Sequence, residues 1–564
     1  MSSTALLKIP ELRDLLSGRL SQTDLVNCVR VSKSWHEGFA PVLWSKITIS
    51  SPLQDVAFSQ AAAHIAIHRY RRFIRSFSGP YPTSLKALGN QLFADSMDIT
   101  DSLQTSEEND KCTELRELRR DYILDESLVL RLIEFSPELR SLHLYGWCEE
   151  DSESGLVQLI GKLEHLKTLT MFAGSPGLLP LEDFCTLLEN VPLSVETLSI
   201  DCSLKGNLSH NINNNNTAQS PPQATSPSRT PPPPLPKPLR LRAIKSLSFR
   251  ASAMNTDPSV WSSFLSKCHD LRSFSVSGNM MNWNVGRIVE ILQRDCPKLE
   301  ELHLREAGRC ITDSYLAQFL SACDHSKTND TSSAGGDTND TNFTPLIESL
   351  SLQEQQTERR ARWKVFEATA LPAMGPLSTE ILLAHTPTLE KVIVIDGNIM
   401  DADTQYRILL QSPNLNTFKV FPDREGIFGI DPQQLLLPPP LPQRPWACES
   451  TLRTLWLAIR TPTAPLTPAQ QRLVMRQIGR LHQLTELHLF NDHDSNYNST
   501  GRPGFTDLSL ENGLDEWEGM KALRDVALSG FEHSFGDIEK EWVLEKWPLL
   551  EKMLVGRDVV KQAT

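Results

Sequence analysis

The sequence predicts an α/β fold, a solenoid with a curved parallel sheet of short strands inside and helices outside, led by a small three-helix module. Three observations predict it. From residue 111 to residue 558 an apolar-x-x-apolar-x-apolar pattern recurs every 26 to 28 residues where nothing is inserted, as from Leu139 to Leu166, Ile244 to Leu271 to Leu299, and Leu389 to Leu415. A proline stands two residues before the leading apolar position in several copies. Ahead of them, between Leu7 and Trp44, three short apolar groups fall at helical spacing.

The bulk properties agree with an array. At 564 residues the chain exceeds the size at which one core stops growing. A net charge of −13 opposes a surface built to neutralise phosphates, so nucleic acid is not expected as a partner. The ten cysteines form no CxxC pair, and the N-terminus lacks the apolar stretch of a signal peptide. Both point to a reducing compartment, cytoplasm or nucleus. No run approaches the roughly 20 apolar residues of a membrane helix, so no membrane is expected either.

The leading module, residues 6–48, groups Leu12, Leu15 and Leu16; Leu25, Cys28 and Val29; and Val31, Trp35 and Phe39. Pro10 suits the first turn of a helix, Gly18 its end, and Ser21 or Thr23 the cap of the next. So few residues cannot bury that many large apolar groups among themselves, and a partner protein is the simplest cover. Ile9-Pro10-Glu11-Leu12, Leu15-Leu16, Leu20, Asp24-Leu25, Cys28, Val31-Ser32-Lys33-Ser34-Trp35 and Leu43-Trp44 resemble an F-box. The order and spacing match that family, with Ile9 where Leu is commoner and Ser32 where Cys is common. The resemblance implies docking to the adaptor of an SCF-type cullin-RING ubiquitin ligase and, through it, to the cullin scaffold and RING subunit. Ile9, Pro10, Leu12, Leu16, Leu25, Val31 and Trp35 are the candidate adaptor-binding residues. Leu16 and Trp35 could instead belong to the module's own core.

Residues 49–110 read as a linker, partly helical from Val56 to Arg75. Beyond it the copies run Leu139-Leu142-Leu144, Leu166-Leu169-Met171, Val195-Leu198-Ile200, Ile244-Leu247-Phe249, Leu271-Phe274-Val276, Leu299-Leu302-Leu304 and Ile347-Leu350-Leu352. They continue as Leu389-Val392-Val394, Leu415-Phe418-Val420, Leu452-Leu455-Leu457, Leu484-Leu487-Leu489, Leu523-Val526-Leu528 and Leu550-Met553-Val555, with a degenerate start at Leu115-Leu118. The period is that of leucine-rich repeats, about 13–14 irregular ones. Ser136-Pro137, Cys296-Pro297, Thr386-Pro387, Ser412-Pro413 and Trp547-Pro548 mark the corners where helix gives way to strand, and Cys268 fills the same slot. This resembles the cysteine-containing repeat class that often follows an F-box, and it makes Cys268 and Cys296 structural.

In such repeats the alternating strand positions face the concave side. Aromatic residues there have no folding role, and aromatics often anchor interfaces. Tyr145, Phe172, Phe421, Trp456 and Phe490 are therefore the candidate substrate-binding residues, or else they pack against neighbouring strands. Residues 206–238, rich in Asn and Pro, and residues 324–344 read as disordered insertions, and residues 422–449 as a Pro-rich loop. Residues 353–376 read as a further interruption.

No GxSxG, P-loop, HExxH, Rossmann fingerprint or metal-spaced Cys/His cluster occurs. His64 and His68 lack a third ligand. The expectation is a non-enzymatic substrate receptor without cofactor or metal. The alternative is an F-box and leucine-rich-repeat scaffold that works outside any ligase.

Overall fold

The computed structural model describes residues 15–16, 18–58, 60–79, 84, 87–88, 115–120, 126–145, 155–172, 178–201, 203–205, 243–250, 258–278, 285–306, 311–323, 363–370, 374–395, 400–421, 429–430, 445–459, 466–491, 508–529, 535–555 and 558–560. They fall into two compact units, residues 1–244 and 245–564.

The first unit opens with α1 (Gln22–Val31) and α2 (Lys33–Ser45). Ser21 starts α1 through a reciprocal capping box with Asp24, and the Ser32 hydroxyl accepts from Trp35 N to start α2. The two helices share a core of Leu25 and Phe39, against which Leu20, Cys28, Val29, Trp35, Val42 and Leu43 pack. α2 runs directly into β1 (Lys46–Thr48), and α3 (Pro52–Phe58) and α4 (Ala61–Tyr70) follow. β2 (Ser76–Gly79) pairs in parallel with both β1 and β3 (Glu117–Arg120). The segment read as a linker therefore carries a strand of the array. Its frame, Ile74 and Phe77 followed by Gly79, escaped notice because glycine fills the third apolar place.

Thereafter helix and strand alternate: α5 (Glu126–Glu134), β4 (Ser141–Tyr145), α6 (Gly155–Gly161), β5 (Thr168–Phe172), α7 (Leu181–Asn190) and β7 (Thr197–Asp201). β3, β4, β5 and β7 pair in order, all parallel, while β6 (Leu178–Pro180) and β8 (Ser203–Lys205) form a separate small pair.

The second unit repeats the scheme. Its strands are β9 (Ser246–Arg250), β10 (Ser273–Ser277), β11 (Glu301–Arg305), β12 (Val365–Thr369), β13 (Lys391–Ile395), β14 (Thr417–Phe421), β15 (Thr454–Ile459), β16 (Glu486–Asn491), β17 (Asp525–Ser529) and β18 (Lys552–Val555). Each pairs in parallel with the next, and β19 (Asp558–Val560) closes the edge of β18 antiparallel. The helices are α8 (Pro258–Leu265), α9 (Val285–Asp295), α10 (Asp313–Leu320), α11 (Pro376–Ala384), α12 (Ala402–Gln411), α13 (Pro468–Gly479) and α14 (Asp537–Lys546). This is the leucine-rich-repeat architecture, and the apolar frame is its core: Leu139, Leu142, Leu271, Leu299, Leu389, Leu415, Leu455 and Leu487 are all fully buried.

One repeat differs from the sequence reading. β11 pairs directly with β12, whose frame is Trp363-Phe366-Ala368, all three buried. Ile347-Leu350-Leu352, read as that strand, lies outside the described residues, and residues 363–370 within the expected interruption carry the repeat instead. A tryptophan leads and an alanine ends this frame, so a search for aliphatic triplets passes over it. Ile430, inside the expected Pro-rich loop, also bridges to Ile459 of β15, and Trp446 and Cys448 are buried. The insertions at 206–238 and 324–344 lie outside the described residues.

The helix-to-strand corners explain the buried polar side chains there. The last carbonyls of a helix have no partner within it. Trp363 Nε1 donates to Leu320 O, Cys448 Sγ to Leu409 O and Trp517 Nε1 to Met475 O, each on the preceding α-helix, while Cys296 Sγ donates to Leu265 O at the end of α8, one repeat earlier. Burial pushes the Cys296 thiol well up and Cys448 up to about 12, so neither supplies a thiolate near neutral pH.

Candidate functional site

The proposed adaptor-facing residues separate into two kinds. Leu25 is buried, and Trp35 is half-buried with its ring 5.5 Å from that of Phe39; both serve the module's own core. Leu16 and Val31 do not: they are 47% and 63% exposed, and Leu15, outside that set but next to Leu16, is 63% exposed. Large aliphatic side chains this exposed around a formed core mark a surface with no cover among the described residues. Ile9, Pro10 and Leu12 lie outside the described residues.

The concave aromatic residues fall into two groups, one in each unit. In the first unit Tyr145 and Phe172 are register partners on β4 and β5, with ring centroids 5.9 Å apart. The Arg119 guanidinium of β3 lies 5.4 Å from the centre of the Tyr145 ring. Phe172 is exposed and Tyr145 half-buried.

In the second unit the strand register brings Lys419, Trp456 and His488 into one line across β14, β15 and β16. Lys419 Nζ sits 4.1 Å from the centre of the Trp456 ring, and the His488 ring stacks on the indole at 4.5 Å and 11°. These neighbours come from the two flanking strands, so the indole is held between them. Its Nε1 donates to Glu486 Oε1 at 2.6 Å, the same oxygen that accepts from Lys419 Nζ at 3.0 Å. Trp456 is thus locked in a polar clamp. Phe421 and Phe490 meet edge to face across β15, with centroids 4.7 Å apart and planes at 89°. The β15 residue level with Phe490 is Ala458, whose methyl leaves room for them. Ile395 is the register partner of Phe421 and extends the apolar strip along β13.

The clamp sets the local charges. Burial raises the Glu486 carboxyl, but its bonds from Lys419 and Trp456 outweigh that and hold it below the usual range. Burial lowers His488 and wins over the attraction of Asp525, whose Oδ1 is 3.4 Å from Nε2. Three strands away, Glu367 of β12 gathers His303 Nδ1 at 3.0 Å and Arg305 Nη2 at 3.0 Å. The His303 bond, with the nearby Arg305, depresses Glu367 to about 2 despite burial. Lys419, Glu486 and His488 could have been singled out from the concave positions of the sequence pattern. Glu367 could not, because its strand was hidden in a segment read as an interruption.

Among the described residues no group of His, Cys, Asp or Glu is placed to hold a metal ion, and no helix is long and apolar enough to cross a membrane.

No protein-family model matches the chain, and no curated protein matches it. Among solved structures, similarity is found to the crystal structure of a TLR13–ssRNA13 complex, with a TM-score of 0.31 and 11% identity, over 80% of this chain and 48% of that one. It is also found to the yeast Rad7–Elc1 complex, with a TM-score of 0.33 and 12% identity, over 74% of this chain and 92% of that one. The chain therefore spans about half the length of the first of these. At such scores the leucine-rich-repeat solenoid rests on the strand register and the buried frame of the chain itself.

Proposed function

We propose that this chain is the substrate-recognition subunit of an SCF-type cullin-RING ubiquitin ligase. Its leading helices dock the adaptor as an F-box, and its repeats hold the target protein. The observation that carries this reading is the helical module with a core of its own, Leu25 with Phe39, that still presents Leu15, Leu16 and Val31 outward. These lie in the stretch whose residues resemble an F-box. The chain itself is not an enzyme in this reading, and the ubiquitin-transfer chemistry belongs to the partner subunits. On the concave side Phe421 and Phe490, with Ile395, and separately Phe172 with Tyr145, are the anchors for the target, while Trp456 positions its neighbours.

The test uses exposed residues, so that loss of binding is not loss of folding. Leu16→Asp with Val31→Asp places charge in an apolar contact, where it costs roughly 3 kcal/mol or more. Co-purification of adaptor, cullin and RING subunit with the full chain is expected to fall by more than about a hundredfold. The thermal transition should not move. Undiminished co-purification would remove the F-box assignment, and assembly with the adaptor but never with a cullin would favour the scaffold outside a ligase.

A further inference from the structure

We propose that Arg305 and Thr369 form a carboxylate subsite at the end of the apolar strip, so that the second unit takes a target segment whose apolar side chains stand at a fixed spacing from an aspartate or glutamate. The inference rests on the reading of Ile395, Phe421 and Phe490 as target anchors and not on the adaptor. Thr369 and Ile395 are register partners, as are Ile395 and Phe421. Arg305 and Thr369 each stand one residue beyond the partners Leu304 and Ala368. One line therefore runs from Arg305 through Thr369 and Ile395 to Phe421, across β11 to β14.

The guanidinium is held by one edge. Its Nε donates to Glu367 Oε1 at 3.1 Å, and Nη2 lies 3.0 Å from the same oxygen. Glu367 Oε2 is engaged by His303 Nδ1 at 3.0 Å, so the carboxylate that fixes Arg305 is occupied on both oxygens. An arginine has five N–H groups, and this pairing spends two. The side chain is 55% exposed, and the other three N–H groups meet no acceptor among the described residues. Beside it the half-buried Thr369 accepts from Glu306 N at 3.1 Å, while its own hydroxyl hydrogen has no acceptor among the described residues. A fixed fork of N–H groups next to a hydroxyl donor matches the two oxygens of a carboxylate.

The backbone singles out the same place. The corner after each of β10, β11 and β12 is left-handed, at Gly278, Glu306 and Ala370. Glycine serves at the first, but Glu306 and Ala370 hold φ of 51° and 53° at a cost in strain, and they directly follow Arg305 and Thr369. Strain of this kind collects where a side chain must be held for a ligand. With strands about 4.8 Å apart, Arg305 stands roughly 10 Å from Ile395 and roughly 14 Å from Phe421 along the line. Side chains on one face of an extended peptide recur about every 6.8 Å, so the matching pattern is apolar-x-apolar-x-acidic or its reverse.

The probe is a library of random dodecapeptides displayed on phage as internal segments, selected on the full chain and sequenced. Asp or Glu is expected two or four residues from enriched apolar positions. Arg305→Gln should remove the acid preference and keep the apolar one, and Arg305→Glu should turn it toward Lys and Arg. A selected peptide, amidated and labelled with fluorescein, should bind Arg305→Gln and Thr369→Val each at least about fivefold more weakly by anisotropy, with both variants still melting cooperatively. Glu306, exposed and in no ion pair among the described residues, lies next in the chain, and Glu306→Gln should keep the acid preference or sharpen it. Acid enrichment that is absent, or equal on Arg305→Gln, overturns the subsite and leaves the apolar strip standing. The subsite also falls if phosphoserine in place of the acid binds more than about tenfold tighter, which would make it a phosphate site. If apolar residues are not enriched either, the strip is not the target site and both readings fall.

Discussion

The tetrapeptide Glu-Leu-His-Leu occurs in β11 as Glu301 to Leu304 and in β16 as Glu486 to Leu489, yet its two histidines are driven in opposite directions. Burial lowers both. At His303 the bonds to Glu301 and Glu367 outweigh burial and hold the imidazole above its ordinary value; at His488, stacked on Trp456 and close to Lys419, burial prevails. The neighbouring strand, and not the local sequence, decides the charge. For stability this predicts a window. Glu367, depressed to about 2, contributes above its unfolded value near 4.5 and loses that contribution as pH falls toward 2. His303, raised in the folded state, contributes below its unfolded value of 6.5 and loses that contribution as pH climbs through its folded value. Glu367→Gln should therefore cost about 1–3 kcal/mol between roughly pH 4.5 and 6.5. The deficit should narrow on either side, as read from denaturation midpoints across pH. A deficit independent of pH would mean that these groups are not linked to folding.

At the level of the elements, one helix is started by a residue from another. The N-cap position of α11 is Gly375, which has no side chain to accept the first N–H groups. Asp313 of α10 supplies the carboxylate, accepting from Gly375 N at 2.9 Å, Leu377 N at 3.1 Å and Ser378 N at 3.0 Å. A Cβ at Gly375 would collide with the Asp313 carboxyl group, so the glycine makes the approach possible. Asp313→Ala should destabilise the chain by about 1–3 kcal/mol, the cost of losing a cap with several donors. A chemical denaturation curve measures it, and a loss below about 0.5 kcal/mol would mean that water replaces the carboxylate. This cap was not legible in the sequence, because 62 residues separate donor and acceptor. The strand frames were legible wherever leucine, isoleucine or valine filled them, since burial selects those residues and the two-residue alternation exposes the rest. The frames at Ile74-Phe77 and Trp363-Phe366-Ala368 were not, because glycine or alanine fills the third place and breaks the aliphatic signature.

On the scale of the whole molecule, each unit is stacked by one recurring device, a carbonyl before each strand that accepts two N–H groups from the next repeat, as Arg272 O does from Glu300 N and Glu301 N. Backbone bonds of this kind need no particular side chain, which is why repeats with thinly conforming frames, such as that of β12, still stack. The candidate site was less readable: its positions followed from the alternation, but whether a ring is clamped like Trp456 or open like Phe172 depends on what the next strand carries. How the helical module is held to the first strands was also hidden, and it rests on Tyr70. The Tyr70 hydroxyl lies 2.6 Å from His36 Nε2, and its ring stacks on Trp44 at 5.2 Å, both on α2. α2 then passes without a break into β1. This joint fixes the direction in which Leu16 and Val31 face relative to the first unit's sheet. Tyr70→Ala should free it: amides of α1 and α2 should exchange with deuterium at least about tenfold faster, while those of β3, β4 and β5 keep their protection. Tyr70→Phe, which keeps the stack and loses the hydroxyl, should fall between. If α2 keeps its protection in Tyr70→Ala, the module is held by the β1–β2 pairing alone, and the joint at Tyr70 has no share in aiming it.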